Sequence, residues 1–269
     1  MLNLMKAVFY RIKRTKVVYI LFSIMCICAI AATGFSYAVE HASISKKLMQ
    51  QASGFADMLT MVVIGPFFAG IVICSDFQTK TIHDSILYAK QGRRAVIFSK
   101  LLTNMVMVMF FLLPYAICTI VGFLSGAKFS LVYSRSVDSV FYTLLANETN
   151  VSVNANNILK LLVIIFVIML VYAARMSLNI LLIYCIRKPV VVVGVGIAIQ
   201  MILSLLGPLT ASSELANQIF GWPPFASFGS ILTFDVPWDK LASIAGVSLA
   251  FMGMINGITG GIFQKSDIK

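Results

Sequence analysis

The sequence predicts an all-α integral membrane protein with about six transmembrane helices, and three observations carry that reading. The 269 residues are 59% hydrophobic and only 12% charged, with a mean hydropathy of +0.94. Soluble domains lie nearer ~45–50% apolar and ~25% charged. Apolar runs recur at 17–39, 55–74, 101–124, 158–186, 190–206 and 241–263, close to the roughly 20 residues a helix needs to cross the hydrocarbon core. The Lys and Arg residues behind the net charge of +11 flank these runs and do not form a stripe interleaved with aromatics. That placement is a topology signal and not a nucleic-acid footprint. The chain therefore reads as one transmembrane domain over 1–269, with membrane lipid and no nucleic acid among its partners.

The first sixteen residues set Leu4, Met5, Val8, Phe9 and Ile12 beside Lys6, Arg11, Lys13, Arg14 and Lys16. An apolar stripe next to a basic one suits a helix lying in the membrane interface, its cations on anionic headgroups. Arg11 and Arg14 are the expected anchors there. The first span follows at 17–39; its apolar run has no convincing small-residue cleavage site, so it is expected to stay as a membrane helix. The second span, at 55–74, contains Gly65-Pro66, which predicts a kink near its middle.

Between the second and third spans lies the longest charged interval, Ser75 to Lys100. Ser75 and Gln78 have capping-box spacing, Ile82 and Ile86 fall on one helical face, and Gly92 can end a helix before Arg93 and Arg94. A helix over 76–92 that presents itself to a soluble partner is the reading, with Arg93, Arg94 and Lys100 as further anchors at the lipid boundary. The third span, at 101–124, carries Pro114. A polar interval rich in Ser and Asn precedes the fourth span at 158–186, and Arg187-Lys188-Pro189 makes a tight basic turn into the fifth at 190–206. From 207 to 240, Phe and Trp residues alternate with Gly and Pro, which reads as a re-entrant or interfacial segment, because bare loops do not survive in hydrocarbon. The last span covers 241–263.

Counting charges orients the chain. With the N-terminus, the 75–100 interval, the Arg187-Lys188 turn and the tail on one side, that side holds 14 of the 21 Lys and Arg residues. The excess predicts that both termini are cytoplasmic.

Catalytic signatures are missing from the sequence. There is no P-loop, no His-Glu-x-x-His and no Gly-x-Ser-x-Gly, and the two histidines, His41 and His83, fall on opposite expected sides. The chain is not expected to be an enzyme or to carry a cofactor or metal, and its five cysteines read as buried hydrophobes. Arg175 is the one firm charge inside a span; it either lines a substrate path or has a structural role, reaching towards the cytoplasmic interface or joining helices, and its nearness to the inner boundary, within reach by snorkelling, favours the structural role. Asn104, Asn179, Gln200 and Asn256 read as interhelical hydrogen-bonding groups. No carboxylate stands out well inside a span, which argues against a proton-coupled transporter.

This order of elements resembles the permease subunit of type-2 ABC transporters. The local likeness lies in Asp76 to Ile82 (DFQTKTI) and Arg93 to Leu102 (RRAVIFSKLL). In that family an acidic residue and a Gly-Thr-Ile-like turn precede a basic pair and an apolar run ending in Gly-Lys-Leu-Leu. Here Asp76 stands for the commoner Glu, Lys80 for Gly and Ser99 for Gly. The resemblance implies that Gln78 to Lys90 is a coupling helix docking into a separate ABC ATPase, with Gln78, Lys80, Ile82, His83, Ile86 and Leu87 as contacts. It further implies two ATPase copies that bind ATP-Mg and a second permease subunit, identical or homologous. Small permeases resembling this chain export peptides or confer antimicrobial-peptide resistance in Gram-positive bacteria. The implied cargo is an amphipathic peptide or lipid-like molecule, and the implied location is the bacterial cell membrane. A non-transporting scaffold or sensor that recruits a cytoplasmic partner through the same loop is the alternative.

Overall fold

A computed structural model describes residues 2–41, 55–79, 92–129, 140, 141, 144, 154–212, 224, 225 and 234–265. The described residues are helical apart from turns and short connections, with no strand among them. Five helices are long and apolar enough to cross a bilayer: Lys16–Glu40, Asp57–Gln78, Arg94–Ser125, Ala155–Ile186 and Trp238–Gln264. The protein is thus an all-α, multi-pass membrane protein.

Helix α1 (Leu2–Arg14) carries Arg11, Lys13 and Arg14 in its last turn and stops at Thr15, whose backbone is extended at φ −85° and ψ 111°. Its Ile12 side chain enters the core, while Lys13 and Arg14 stay exposed. Helix α2 (Lys16–Glu40) buries Val18, Leu21, Met25, Ala29, Ala32, Ser36 and Val39, one every three or four residues. That spacing is a single helical face. Ile20, Ile24, Ile27 and Ile30 stay exposed on α2, as apolar residues can where the surrounding solvent is lipid.

Helix α3 (Asp57–Phe67) contains Pro66, and a π-helical segment, Phe68–Ile73, follows at once. Proline has no N–H to give, and a π turn is one way a helix absorbs such an interruption. The backbone then runs on as α4 (Ser75–Gln78), so the rod extends past Cys74 without a new start. The capping box read at Ser75 and Gln78 does not form: Ser75 is already helical, and its hydroxyl donates to the Val72 carbonyl at 2.9 Å.

Helix α5 (Arg93–Ser125) opens after Gly92 at φ 65° and closes at Gly126 at φ 63°. Both are backbone conformations that glycine adopts without steric cost, and the second is the usual left-handed stop of a helix. Pro114 sits within α5 without ending it. Helices α6 (Ala155–Met176) and α7 (Leu178–Ile186) form one rod interrupted at Ser177. Every residue from Val167 to Met176 is buried, and α6 packs chiefly against α5 and the last helix, Trp238–Lys265. Arg187, at φ 57°, turns the chain into α8 (Pro189–Ser212), which continues beyond the Leu206 end suggested by hydropathy. The last helix is α9 (Trp238–Lys265).

Two contacts fix how closely α8 lies on the second rod. A Cβ placed on Gly70 would collide with Val193 and stand 2.9 Å from the Pro189 carbonyl oxygen, and one on Gly196 would stand 2.9 Å from Pro66 Cβ. Small residues at these positions let the two backbones approach, which is how membrane helices gain packing energy without a hydrophobic driving force. Within the 207–240 segment, Phe225 meets Phe251 of α9 edge-on with ring centres 5.4 Å apart. The remainder of that expected re-entrant region beyond Ser212, apart from Pro224 and residues 234–240, lies outside the described residues, as does the 80–91 stretch of the expected coupling helix.

Candidate functional site

Asp76 follows the π segment, and an inserted residue rotates what comes after it by about 100° relative to an unbroken α-helix. The residue is 2% exposed. Its carboxylate accepts hydrogen bonds from Arg11 Nη1 of α1 and from Lys100 Nζ of α5, and both contacts are ion pairs. Arg11 also donates through Nη2 to the Val72 carbonyl at 3.1 Å. Three elements that are distant in sequence therefore meet on one carboxylate: the basic leading helix, the end of the second rod and the start of the third span. Partial burial lowers the Arg11 pKa by desolvation, though a guanidinium stays charged in a protein.

The opposite side of the same rod end is held by aromatic packing. The Phe77 ring lies 5.4 Å from Tyr184 and 6.4 Å from Phe263, with Tyr184 and Phe263 4.7 Å apart. The Arg187 guanidinium stands 5.9 Å over Phe77. Ions on one flank and rings on the other fix the point at which the chain leaves for residue 80, while Lys100 fixes the helix to which it returns. Phe77 thereby ties the rod to α7 and α9, as Asp76 ties it to α1 and α5.

The expected site residues divide as follows. Gln78 is exposed at the end of α4, whereas Lys80, Ile82, His83, Ile86 and Leu87 lie outside the described residues. Arg14 is exposed, its guanidinium 4.6 Å over the Tyr10 ring. Arg94 is exposed near the start of α5, where Arg93 is described by its backbone alone. Lys100 departs from the role of lipid-boundary anchor: its side chain is 3% exposed and spent on Asp76. Arg11 is likewise engaged by Asp76 and only half exposed.

Arg175 does not reach for an interface. It is 1% exposed, and its Nε donates to Gln200 Oε1 at 2.9 Å while Nη2 donates to the Gln200 carbonyl at 2.8 Å. Gln200 returns a hydrogen bond to the Arg175 carbonyl at 3.3 Å. The pair joins α6 to α8. Asn104 donates to the Met176 carbonyl at 3.3 Å, while Asn104 Oδ1, Asn179 Oδ1, Asn256 Oδ1 and the Tyr184 hydroxyl are buried with no hydrogen-bond partner among the described residues.

A residue that the sequence reading passed over is Asp57, the first of α3, which is fully buried. Its Oδ2 accepts from the Tyr172 hydroxyl at 2.8 Å and from the Val140 backbone N–H at 3.2 Å. Tyr115 stands nearby, donating to the Phe55 carbonyl at 2.7 Å with Thr60 Oγ1 at 3.2 Å. Tyr115 is about 22 Å along α5 from Lys100 at 1.5 Å per residue. Asp57 is thus a buried carboxylate at the edge of the second span, not well inside it, held by fixed donors near the far end of the bundle. The available signal was an acid two residues into an apolar run after Phe55.

At that far end α2 and α5 part around an apolar cleft of about 560 Å³, bordered by Ile30, Gly34, Tyr37, Ile117, Val121 and Phe129. Among the described residues no cluster of three or more His, Cys, Asp or Glu could hold a metal ion.

Fold and site together define a multi-pass helical membrane protein with a buried three-charge joint at the end of the bundle that carries its N-terminus. No protein-family model matches the chain, and no curated protein matches it.

Proposed function

We propose that this chain is the transmembrane subunit of an ATP-driven exporter of the type-2 ABC class, supplying half of a translocation pathway and coupled to a separate ATPase. The observation that carries the reading is the Arg11–Asp76–Lys100 joint. It anchors both roots of the 80–91 stretch and ties them to the leading basic helix, so a push delivered to that stretch reaches three helices together. A loop meant only to connect two spans has no need of a buried charge cluster at its base. Helix α8, apolar and 24 residues long, would serve as the sixth crossing, and the bias of 14 Lys and Arg residues to one side supports a topology with both termini cytoplasmic. The apolar cleft between α2 and α5 suits an amphipathic peptide or lipid-like cargo.

In the mechanism that follows, ATP-driven closure of two ATPase copies moves the 80–91 stretches of two permease subunits. The joints pass that displacement to α1 and α5, and the paired bundles switch between two states. The work of binding is done in the partner, and this chain contributes the lever and the path.

The test is co-purification with an ATPase encoded beside this chain, together with alanine substitutions at Ile82, Ile86 and Leu87. Loss of ATPase binding and of cargo-stimulated turnover is the expected result. Survival of both would overturn the coupling role. Partner binding without ATP-dependent cargo movement in proteoliposomes would instead identify the scaffold or sensor that is the alternative.

A further inference from the structure

A slot of about 300 Å³ opens between the start of α5 and the end of α9, at the same end of the bundle as the three-charge joint. Arg94 stands on one wall; Asn256, Gly257, Gly260, Gly261 and Gln264 form the other. A Cβ added at Gly257, Gly260 or Gly261 would meet nothing within 4 Å, so no group among the described residues fills the space that the three glycines leave. Helix α9 is the least buried of the five candidate spans, and its neighbours Met254, Ile258 and Ile262 are exposed.

Three features define what fits. The slot runs from Gln264 to Asn256, about 12 Å at 1.5 Å per residue, whereas one headgroup layer of a bilayer is only about 5–7 Å thick. It therefore begins among headgroups and ends in the hydrocarbon. Arg94 puts a positive charge at the shallow end and has no ion-pair partner among the described residues. At the deep end, Asn256 Oδ1 is buried and makes no hydrogen bond among the described residues, an arrangement that costs free energy in hydrocarbon until a polar partner arrives. The occupant must carry an anion at one end, polar atoms a few ångströms further in, and an apolar body.

We infer that the slot holds one anionic phospholipid of the surrounding leaflet, with its phosphate on Arg94, its glycerol and ester groups reaching towards the Asn256 carboxamide, and an acyl chain along the glycine face. A second copy of this chain is the poorer occupant. Two-fold packing through the slot would bring two Arg94 side chains into one interface, and no acid lines the slot to offset them. The inference depends on the chain lying in a membrane and not on the exporter reading.

Native mass spectrometry of the full chain, titrated in detergent with phosphatidylglycerol, phosphatidylcholine or inorganic phosphate, tests it. Phosphatidylglycerol is expected to be retained over phosphatidylcholine. Arg94→Gln should weaken its retention about fivefold, the equivalent of about 1 kcal/mol for one basic group near an anionic surface. Gly257→Leu should abolish retention by filling the slot, while Ile258→Leu, outside it, leaves retention unchanged; matched melting curves show that each variant is folded. Equal retention of the two lipids, displacement by inorganic phosphate, or indifference to Arg94→Gln overturns the proposal. So does a Gly257→Leu variant that keeps its lipid and changes oligomeric state, which would make the slot a helix–helix interface.

Discussion

Replacing Asp76 by Asn keeps the shape of the side chain and removes one charge from a joint that holds one acid and two bases. Lys100 is the residue that suffers, because its side chain is 3% exposed and has no water to turn to. Removing one partner of a buried pair costs about 3–5 kcal/mol, most of it the uncompensated charge left behind. The Arg11 contribution is smaller, about 1 kcal/mol or less, since its side chain is 39% exposed and solvent screens it. The expected loss for Asp76→Asn is therefore about 3–5 kcal/mol in a reversible unfolding titration in mixed micelles. The second variant matters more than the first. Asp76→Asn with Lys100→Met removes the stranded charge and should recover most of the loss, because a buried pair replaced by apolar groups is often neutral or better. A single-variant cost below about 1 kcal/mol, or a double variant no better than the single, would refute the view that Lys100 is held in place by Asp76 alone.

Two further expectations concern packing and the second polar pair. Gly70→Ala should destabilise by about 1–3 kcal/mol, the usual cost of overpacking, because its Cβ meets Val193 and the Pro189 backbone; Gly34→Ala, with open space around it, should leave the thermal midpoint in nanodiscs unchanged. At the α6–α8 contact, Gln200→Leu leaves a buried guanidinium without its side-chain acceptor and should cost more than Arg175→Met, which leaves only a neutral amide short of a partner, about 1–3 kcal/mol. The reverse order in the same unfolding assay would count against the reading of Arg175 as a charge sustained by Gln200.

What could be read from the sequence follows from which forces are local. The face of α2 is legible because burial repeats every three or four residues from Val18 to Val39, and long apolar runs announce helices in a membrane. The misreadings come where a distant partner or a running helix decides. Ser75 and Gln78 match a helix start only if the helix begins there; the rod arrives from Asp57 already helical, and the four-residue pattern contains nothing to say so. Lys100 looks like a boundary anchor by hydropathy, yet Asp76, 24 residues earlier, makes burial affordable. Asp57 was lost in the same way, since its donors come from Tyr172 and Val140, far along the chain. In each case the local pattern recorded a residue's type correctly and its environment wrongly.

The pairing of Arg175 with Gln200 also bears on how the protein enters its bilayer. Helix α6 is continuously buried from Val167 to Met176 in the finished bundle, but during synthesis it precedes α8, and an arginine within a lone helix costs up to about 2.5–3.5 kcal/mol to insert. Gln200 arrives on the next helix, after only Arg187 and Lys188 between Ile186 and Pro189. The left-handed Arg187 turn reverses the chain within those two residues. Arg175 consequently finds its acceptor only once the hairpin from Ala155 to Ser212 is complete, so the same contact that locks the mature bundle also ties two consecutive crossings into one step of its assembly.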